Sequence, residues 1–187
     1  MKLIELATEE VKQIYKKRLI YDFISDEQKP LDVILKAIDE GIYKCLGLRD
    51  EDELIGYVFL VKNDKDYLID YFAIYPEKRN LGIGGKALKL LAEYFVDADI
   101  VLLEIEDPDK TDDMEEKELQ ARRRAFYLRN DCMDTGIRAI CFQVPFQILV
   151  LGQHKSEDLG KLKELYKSFY RMVLPKEVFD ENIGDFY

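Results

Sequence analysis

Residues 67 to 95 read Tyr67-Leu-Ile-Asp70-Tyr-Phe-Ala-Ile-Tyr75-Pro-Glu-Lys-Arg79-Asn-Leu-Gly82-Ile-Gly84-Gly85-Lys-Ala87-Leu-Lys-Leu-Leu-Ala-Glu-Tyr-Phe95. The first part, Tyr67–Tyr75, is dense in aromatic and branched residues, which suit a pleated, half-buried strand. The last part carries Leu88, Leu91 and Phe95 near helical spacing. Between them Gly82, Gly84 and Gly85 form an elbow at the expected helix start. The first turn of a helix has unpaired backbone N–H groups and the positive end of the dipole. Glycine lets an anion approach those groups closely, so the elbow reads first as a phosphate or pyrophosphate site.

Two motifs share that physics. The elbow can be written Gly82-x-Gly84-x-x-Ala87, a loose dinucleotide fingerprint, with Glu104 placed 22 positions beyond Gly82, where a ribose-binding acid would stand. A dinucleotide loop, however, leaves its strand almost at once, whereas Pro76 to Leu81 intervene here. It can also be written Arg79-x-x-Gly82-x-Gly84, following the run from Asp70 to Arg79. Strand, proline, charged residues and glycines in that order resemble the acyl-CoA-binding signature of the GNAT superfamily of N-acyltransferases.

Composition narrows the class. The 187 residues are 48% hydrophobic and 35% charged, enough for a globular domain with a sizeable core. No apolar run is long enough to span a bilayer, and the opening Met1-Lys2-Leu3-Ile4-Glu5 is not a signal peptide, so a soluble, cytoplasmic, membrane-free protein is expected. Cys45, Cys132 and Cys141 lack metal-ligand spacing and read as reduced thiols; the single histidine, His154, reads as a loop residue. No metal is expected. A net charge of −10 argues against nucleic acid as a partner and mildly favours a cationic ligand.

Taken in order, Leu3–Leu6 reads as a strand and Thr8 as the cap of a helix buried through Val11, Ile14, Tyr15 and Leu19. The run Phe23 to Pro30 breaks the pattern before a second helix that Gly41 stops. Tyr43–Arg49 and Leu54–Val61 read as strands joined to each other and to the central strand by short turns, which implies an antiparallel meander and counts against a dinucleotide fold. Central strand, elbow, helix and the strand Ile100–Glu106 form a βαβ unit, hence one parallel pair. Residues 104–118 hold nine acids, read mostly as a solvated loop and helix start, but Glu104 interrupts an apolar strand. A helix is expected over Glu118–Asn130, then strands Ile137–Phe142 and Phe146–Leu151, and last an amphipathic helix from Leu159 to Val173.

Phe126-Tyr127 followed by Arg129-Asn130 resembles a second GNAT signature, in which a tyrosine faces the CoA sulfur. That family usually continues with glycine and an aromatic, where Asp131, Cys132 and Met133 stand here. The resemblance covers roughly residues 1 to 152 in element order and implies one α+β domain over residues 1–187. Its central sheet is mixed and mostly antiparallel, with helices on both sides. An extra C-terminal helix, within residues 153–187, reads first as padding of the core.

The resemblance further implies an N-acetyltransferase that moves an acetyl group from acetyl-CoA to the primary amine of an unidentified small molecule or peptide. Backbone groups around Phe72 and Ile74 would meet the pantetheine amides. The N–H groups of Arg79, Leu81, Gly82, Ile83, Gly84 and Gly85 would cradle the pyrophosphate. The segment between the first helices would border the acceptor pocket. An alkylammonium must lose a proton before attack, and a departing thiolate benefits from gaining one. Glu104 is the base candidate, with Asp70 and Glu106 behind it, and Tyr127 is the candidate acid. Asp70 reads equally well as the structural partner of an arginine such as Arg123. A non-catalytic acyl-CoA-binding module, a nicotinamide-dependent oxidoreductase and a homodimer stay open as alternatives.

Overall fold

The computed structural model describes residues 1–152 and 158–187; His154 lies outside them. Among the described residues eight strands form one sheet in the order β1-β2-β3-β4-β5-β7-β6-β8. They are β1 (Lys2–Glu5), β2 (Tyr43–Asp50), β3 (Glu53–Asn63), β4 (Asp66–Ile74), β5 (Val101–Glu106), β6 (Cys132–Cys141), β7 (Val144–Leu151) and β8 (Ile183–Phe186). Short turns make β1 to β4 antiparallel neighbours, as the meander reading requires. Among the described strands only β4 and β5 pair in parallel, because the crossover helix α4 (Ile83–Tyr94) connects them. A dinucleotide fold would need a parallel sheet, so that motif reading of the elbow fails here.

Alternate residues of the central strands feed opposite cores, as a period of two demands. Tyr57, Phe59 and Val61 face α1 (Thr8–Ile14), α3 (Leu31–Asp39) and α6 (Leu159–Val173), whereas Val58 and Leu60 face α4 and α5 (Met114–Arg129). α1 runs on through a π-helical turn, Tyr15–Leu19, into the short α2 (Ile20–Asp22). α5 begins earlier than its apolar pattern suggests, because the Asp113 carboxylate accepts from the N–H groups of Glu115 and Glu116. It ends at Arg129, and Asp131 takes the left-handed turn there with φ of 60°. Beyond the expected C-terminal helix, α7 (Lys176–Asn182) leads into β8, which pairs with β6 at the sheet edge. Among the described residues no helix is long and apolar enough to cross a membrane.

Candidate active site

The parallel pairing of β4 and β5 lasts for only three registered pairs, Tyr67 with Val101 through Ile69 with Leu103. The cause lies at Asp70. On the β3 side Phe59 pairs with Tyr71 while Leu60 pairs with Ile69, which leaves Asp70 as the extra residue of a β-bulge. Past the bulge β4 continues with β3 alone, and β5 continues with β7 from Leu102 to Glu106. The two strands part, and a cavity of about 640 Å³ opens between them.

Its walls come from several elements. β4 supplies residues from Asp70 to Ile74, and β5 supplies Leu103 to Glu106. α5 supplies Arg122, Arg123, Phe126, Tyr127 and Arg129, and the connection between α2 and α3 supplies Phe23, Ile24, Asp26, Glu27 and Lys29. Tyr170 of α6 closes the inner side. Of the elbow, Arg79, Asn80 and Gly84 line the cavity; Leu81, Gly82, Ile83 and Gly85 do not.

The elbow is built as the glycines require, though for more than one reason. Gly82 has φ of 72° and caps α4, a conformation costly for any residue with a Cβ. A Cβ on Gly84 would lie 3.0 Å from Phe126 Cζ, and one on Gly85 would lie 2.6 Å from Asn130 Oδ1. Gly84 and Gly85 thus let α4 approach α5 closely, beyond any role toward an anion. The first intrahelical bond runs from Lys86 N–H to Gly82 C=O at 3.3 Å, so the N–H groups of Ile83, Gly84 and Gly85 precede the helical ladder. Arg79 donates from Nε to the Ile74 carbonyl at 2.8 Å and from Nη2 to Asp22 Oδ1 at 2.7 Å, which ties the elbow to the end of β4 and to α2.

Asp70 is not bound to Arg123. Its Oδ1 accepts from Lys29 Nζ at 2.6 Å and its Oδ2 from the Tyr43 hydroxyl. The side chains of Lys29 and Asp70 are 7% and 2% exposed, so this is a buried pair. Burial opposes the Lys29 charge, but Asp70 beside it holds the ammonium pKa above its ordinary value. Arg123 is taken instead by Glu106, and Arg79 by Asp22. Asp70, Glu106 and Asp22 therefore each face a cation.

Glu104 and Glu27 do not: neither has a salt-bridge partner among the described residues. Glu104 Oε2 accepts from the Tyr166 hydroxyl at 2.8 Å, and Oε1 accepts from the Tyr170 hydroxyl. Burial raises its pKa, and the phenols only partly counter that. The C-terminal helix expected as padding thus delivers two hydroxyls to the acid in β5. The Glu27 carboxyl accepts no hydrogen bond from a described residue, and its pKa is raised to about 7, first by burial and next by the charge of Glu104. Tyr127 is 9% exposed, packs on Phe126 and lines the cavity; burial raises its phenol pKa. Its hydroxyl meets no polar partner among the described residues.

Sequence reasoning missed Glu27, Lys29, Tyr166 and Tyr170. Glu27 sits in a helix break with no pattern of its own. Lys29 lies 41 positions from Asp70, and the tyrosines lie 62 and 66 positions from Glu104, so only the fold brings them together.

The family model described as "Acetyltransferase (GNAT) family" matches residues 8–113, more than half of the chain. The chain belongs to the GNAT acetyltransferase family. Its fold is similar to that of a GNAT-family protein from Bacteroides thetaiotaomicron, with a TM-score of 0.75, 20% identity, and 94% of this chain and 100% of that chain covered. An acetyltransferase from Bacillus subtilis in complex with CoA gives 0.58 and 14% identity, with coverage of 81% and 98%. The dodecameric spermidine N-acetyltransferase of Vibrio cholerae gives 0.60 and 13%, with coverage of 81% and 93%. At such identities the likeness is one of fold. No curated protein sequence matches the chain.

Proposed function

We propose that this GNAT protein transfers an acetyl group from acetyl-CoA to a primary amine of a cationic small molecule or peptide. The observation that carries this reading is the gap where β4 leaves β5, walled on one side by Glu104 and on another by Tyr127. Past the bulge, the β4 edge that faces the gap has no strand beside it among the described residues. The backbone around Phe72 and Ile74 is then free to bond the two amides of a pantetheine arm. The Ile74 carbonyl already accepts from Arg79, but its second lone pair stays open.

The elbow would hold the pyrophosphate. Ile83, Gly84 and Gly85 offer N–H groups and the positive end of a 12-residue helix, with Arg79, Leu81 and Gly82 at the turn before it. Arg122 and Arg129 on the facing helix add cationic charge to the same cavity. The structural neighbour bound to CoA and the neighbour named for spermidine are consistent with this donor and with an amine acceptor.

In the acceptor half, carboxyl groups without cation partners suit an alkylammonium. Glu104 would hold that ammonium, with Asp70 set behind it by Lys29. Tyr127 would return a proton to the departing sulfur; its raised pKa keeps it protonated at neutral pH. The deciding experiment incubates the protein with radiolabelled acetyl-CoA and a panel of polyamines, amino sugars, amino acids and peptides. Amine-dependent thiol release with a labelled product is expected for at least one class. Tight CoA binding with no amine-dependent release across the panel would make the protein an acyl-CoA-binding module instead.

A further inference from the structure

Resting on the acetyl-transfer reading, we infer that Glu27 is the group that takes the proton from the acceptor ammonium, while Glu104 holds that ammonium across the cavity. The turn Ser25–Glu27 is fixed, not merely adjacent. The Tyr71 hydroxyl of β4 donates to the Glu27 carbonyl at 2.7 Å and accepts from the Lys29 N–H at 2.8 Å. The Gln28 amide bonds the carbonyls of Ile20 and Phe23 at 3.2 and 2.6 Å. These bonds lock the turn over the gap beside the bulge, and both Glu27 and Glu104 line the cavity there.

The division of labour follows from the hydrogen bonds. Each Glu104 oxygen already accepts a phenol hydrogen, which stabilises its anion, whereas no such donor reaches Glu27 among the described residues. Glu27 has both oxygens free of any described partner; of the other acids of the cavity wall Asp70, Glu106 and Asp22 are taken by Lys29, Arg123 and Arg79, and Asp26 is exposed and accepts from Ser25 Oγ. The charged groups facing Glu27 are Glu104 from β5, Arg123 from α5, and Lys29 and Asp26 from its own connection. Burial and Glu104 outweigh the cations and bring Glu27 to a pKa of about 7, where a carboxyl can both gain and lose a proton at neutral pH.

The ammonium gives one proton to the Glu27 carboxylate. The freed nitrogen lone pair forms the N–C bond to the thioester carbonyl carbon as the C–S bond breaks. Tyr127 gives a proton to the sulfur, the remaining excess proton on nitrogen restores the phenol, and Glu27 loses its proton to solvent.

The test measures kcat/KM against pH, with an amine from the screen, for wild type and for Glu27→Gln and Glu104→Gln, after CoA-dependent melting shows each variant folded. Wild type should lose activity as pH falls below about 7. Glu27→Gln should lose that acidic limb and fall by about a hundredfold, the usual scale for a lost general base. Glu104→Gln should raise KM and move the limb to lower pH, because the charge that raises the Glu27 pKa is gone. A Glu27→Gln variant that keeps both rate and acidic limb overturns the role of Glu27 and leaves acetyl transfer standing. Failure of wild type to acetylate any amine overturns both.

Discussion

At the scale of single residues, the buried Lys29–Asp70 pair and the solitary Tyr127 make opposite demands. Removing one member of a buried ion pair leaves an uncompensated charge, which costs about 3–5 kcal/mol. Lys29→Met should therefore lower unfolding stability by that amount in denaturant titrations, and Lys29→Met with Asp70→Asn should recover most of it. A single variant as stable as wild type would mean that Asp70 is solvated. Tyr127→Phe removes one oxygen that bonds no described residue, so stability and acetyl-CoA affinity should barely change. The transfer rate should fall more with acetyl-CoA than with an activated thioester whose low-pKa thiol leaves unaided. Equal losses with both donors would assign Tyr127 to positioning. The place of Tyr127 on the cavity was legible because Phe126 before it and Arg129 and Asn130 after it make a recognisable run. The Lys29 partnership was not, because a lysine before Pro30 carries no local sign that a bulged aspartate will meet it.

At the scale of elements, α6 is the piece whose role the sequence conceals. Leu162, Tyr166, Phe169 and Tyr170 form one apolar stripe, and a stripe of that spacing says only that the helix is buried. Register decides the rest. Leu102 and Glu104 share a face of β5, so Glu104 emerges beneath α6 and finds both phenols. Tyr166→Phe with Tyr170→Phe keeps the rings and removes the donors. Hydrogen bonds to a charged group contribute about 1.5–3 kcal/mol each, so the loss should be measurable. Its pH dependence has a definite sign. The folded pKa of Glu104 lies above the ordinary carboxylate value, so its contribution is fully present at low pH and declines as pH rises through the folded pKa. Without the phenols that pKa rises further, so the double variant should lose more stability at pH 8 than at pH 5. An equal loss at both would show that Glu104 stays neutral. Where local chemistry governed, the elements were legible: Pro30 and Gly41 bracket α3, and the elbow starts α4. The early start of α5 depends on the Asp113 cap. The first residues of β6 and the whole of β8 depend on neighbouring strands, so no periodicity announced them.

At the scale of the whole molecule, the acetyl-transfer proposal asks a protein of net charge −10 to hold a polyanionic donor. Long-range electrostatics oppose that encounter, so the attraction has to be local. The fold supplies it by setting the N-terminus of α4 against the arginines of α5, close enough that Gly84 and Gly85 have no room for a side chain. On that proposal the arginines of α5 stand on the donor side of the gap, and Glu27 and Glu104, without cation partners among the described residues, stand on the acceptor side. Donor fragments separate the two attachments. Pantetheine keeps the arm that would run along the free edge of β4 but lacks the pyrophosphate and nucleotide. If at least two charge-assisted hydrogen bonds at the elbow are lost with them, at about 1.5–3 kcal/mol each, affinity should fall by at least about a hundredfold relative to CoA. Calorimetry with CoA and pantetheine measures this directly. Raising salt should weaken CoA binding while leaving pantetheine nearly unaffected, since only CoA brings charge to the arginines. Pantetheine that bound as tightly as CoA would remove the elbow from the donor site and leave the strand edge as its main anchor.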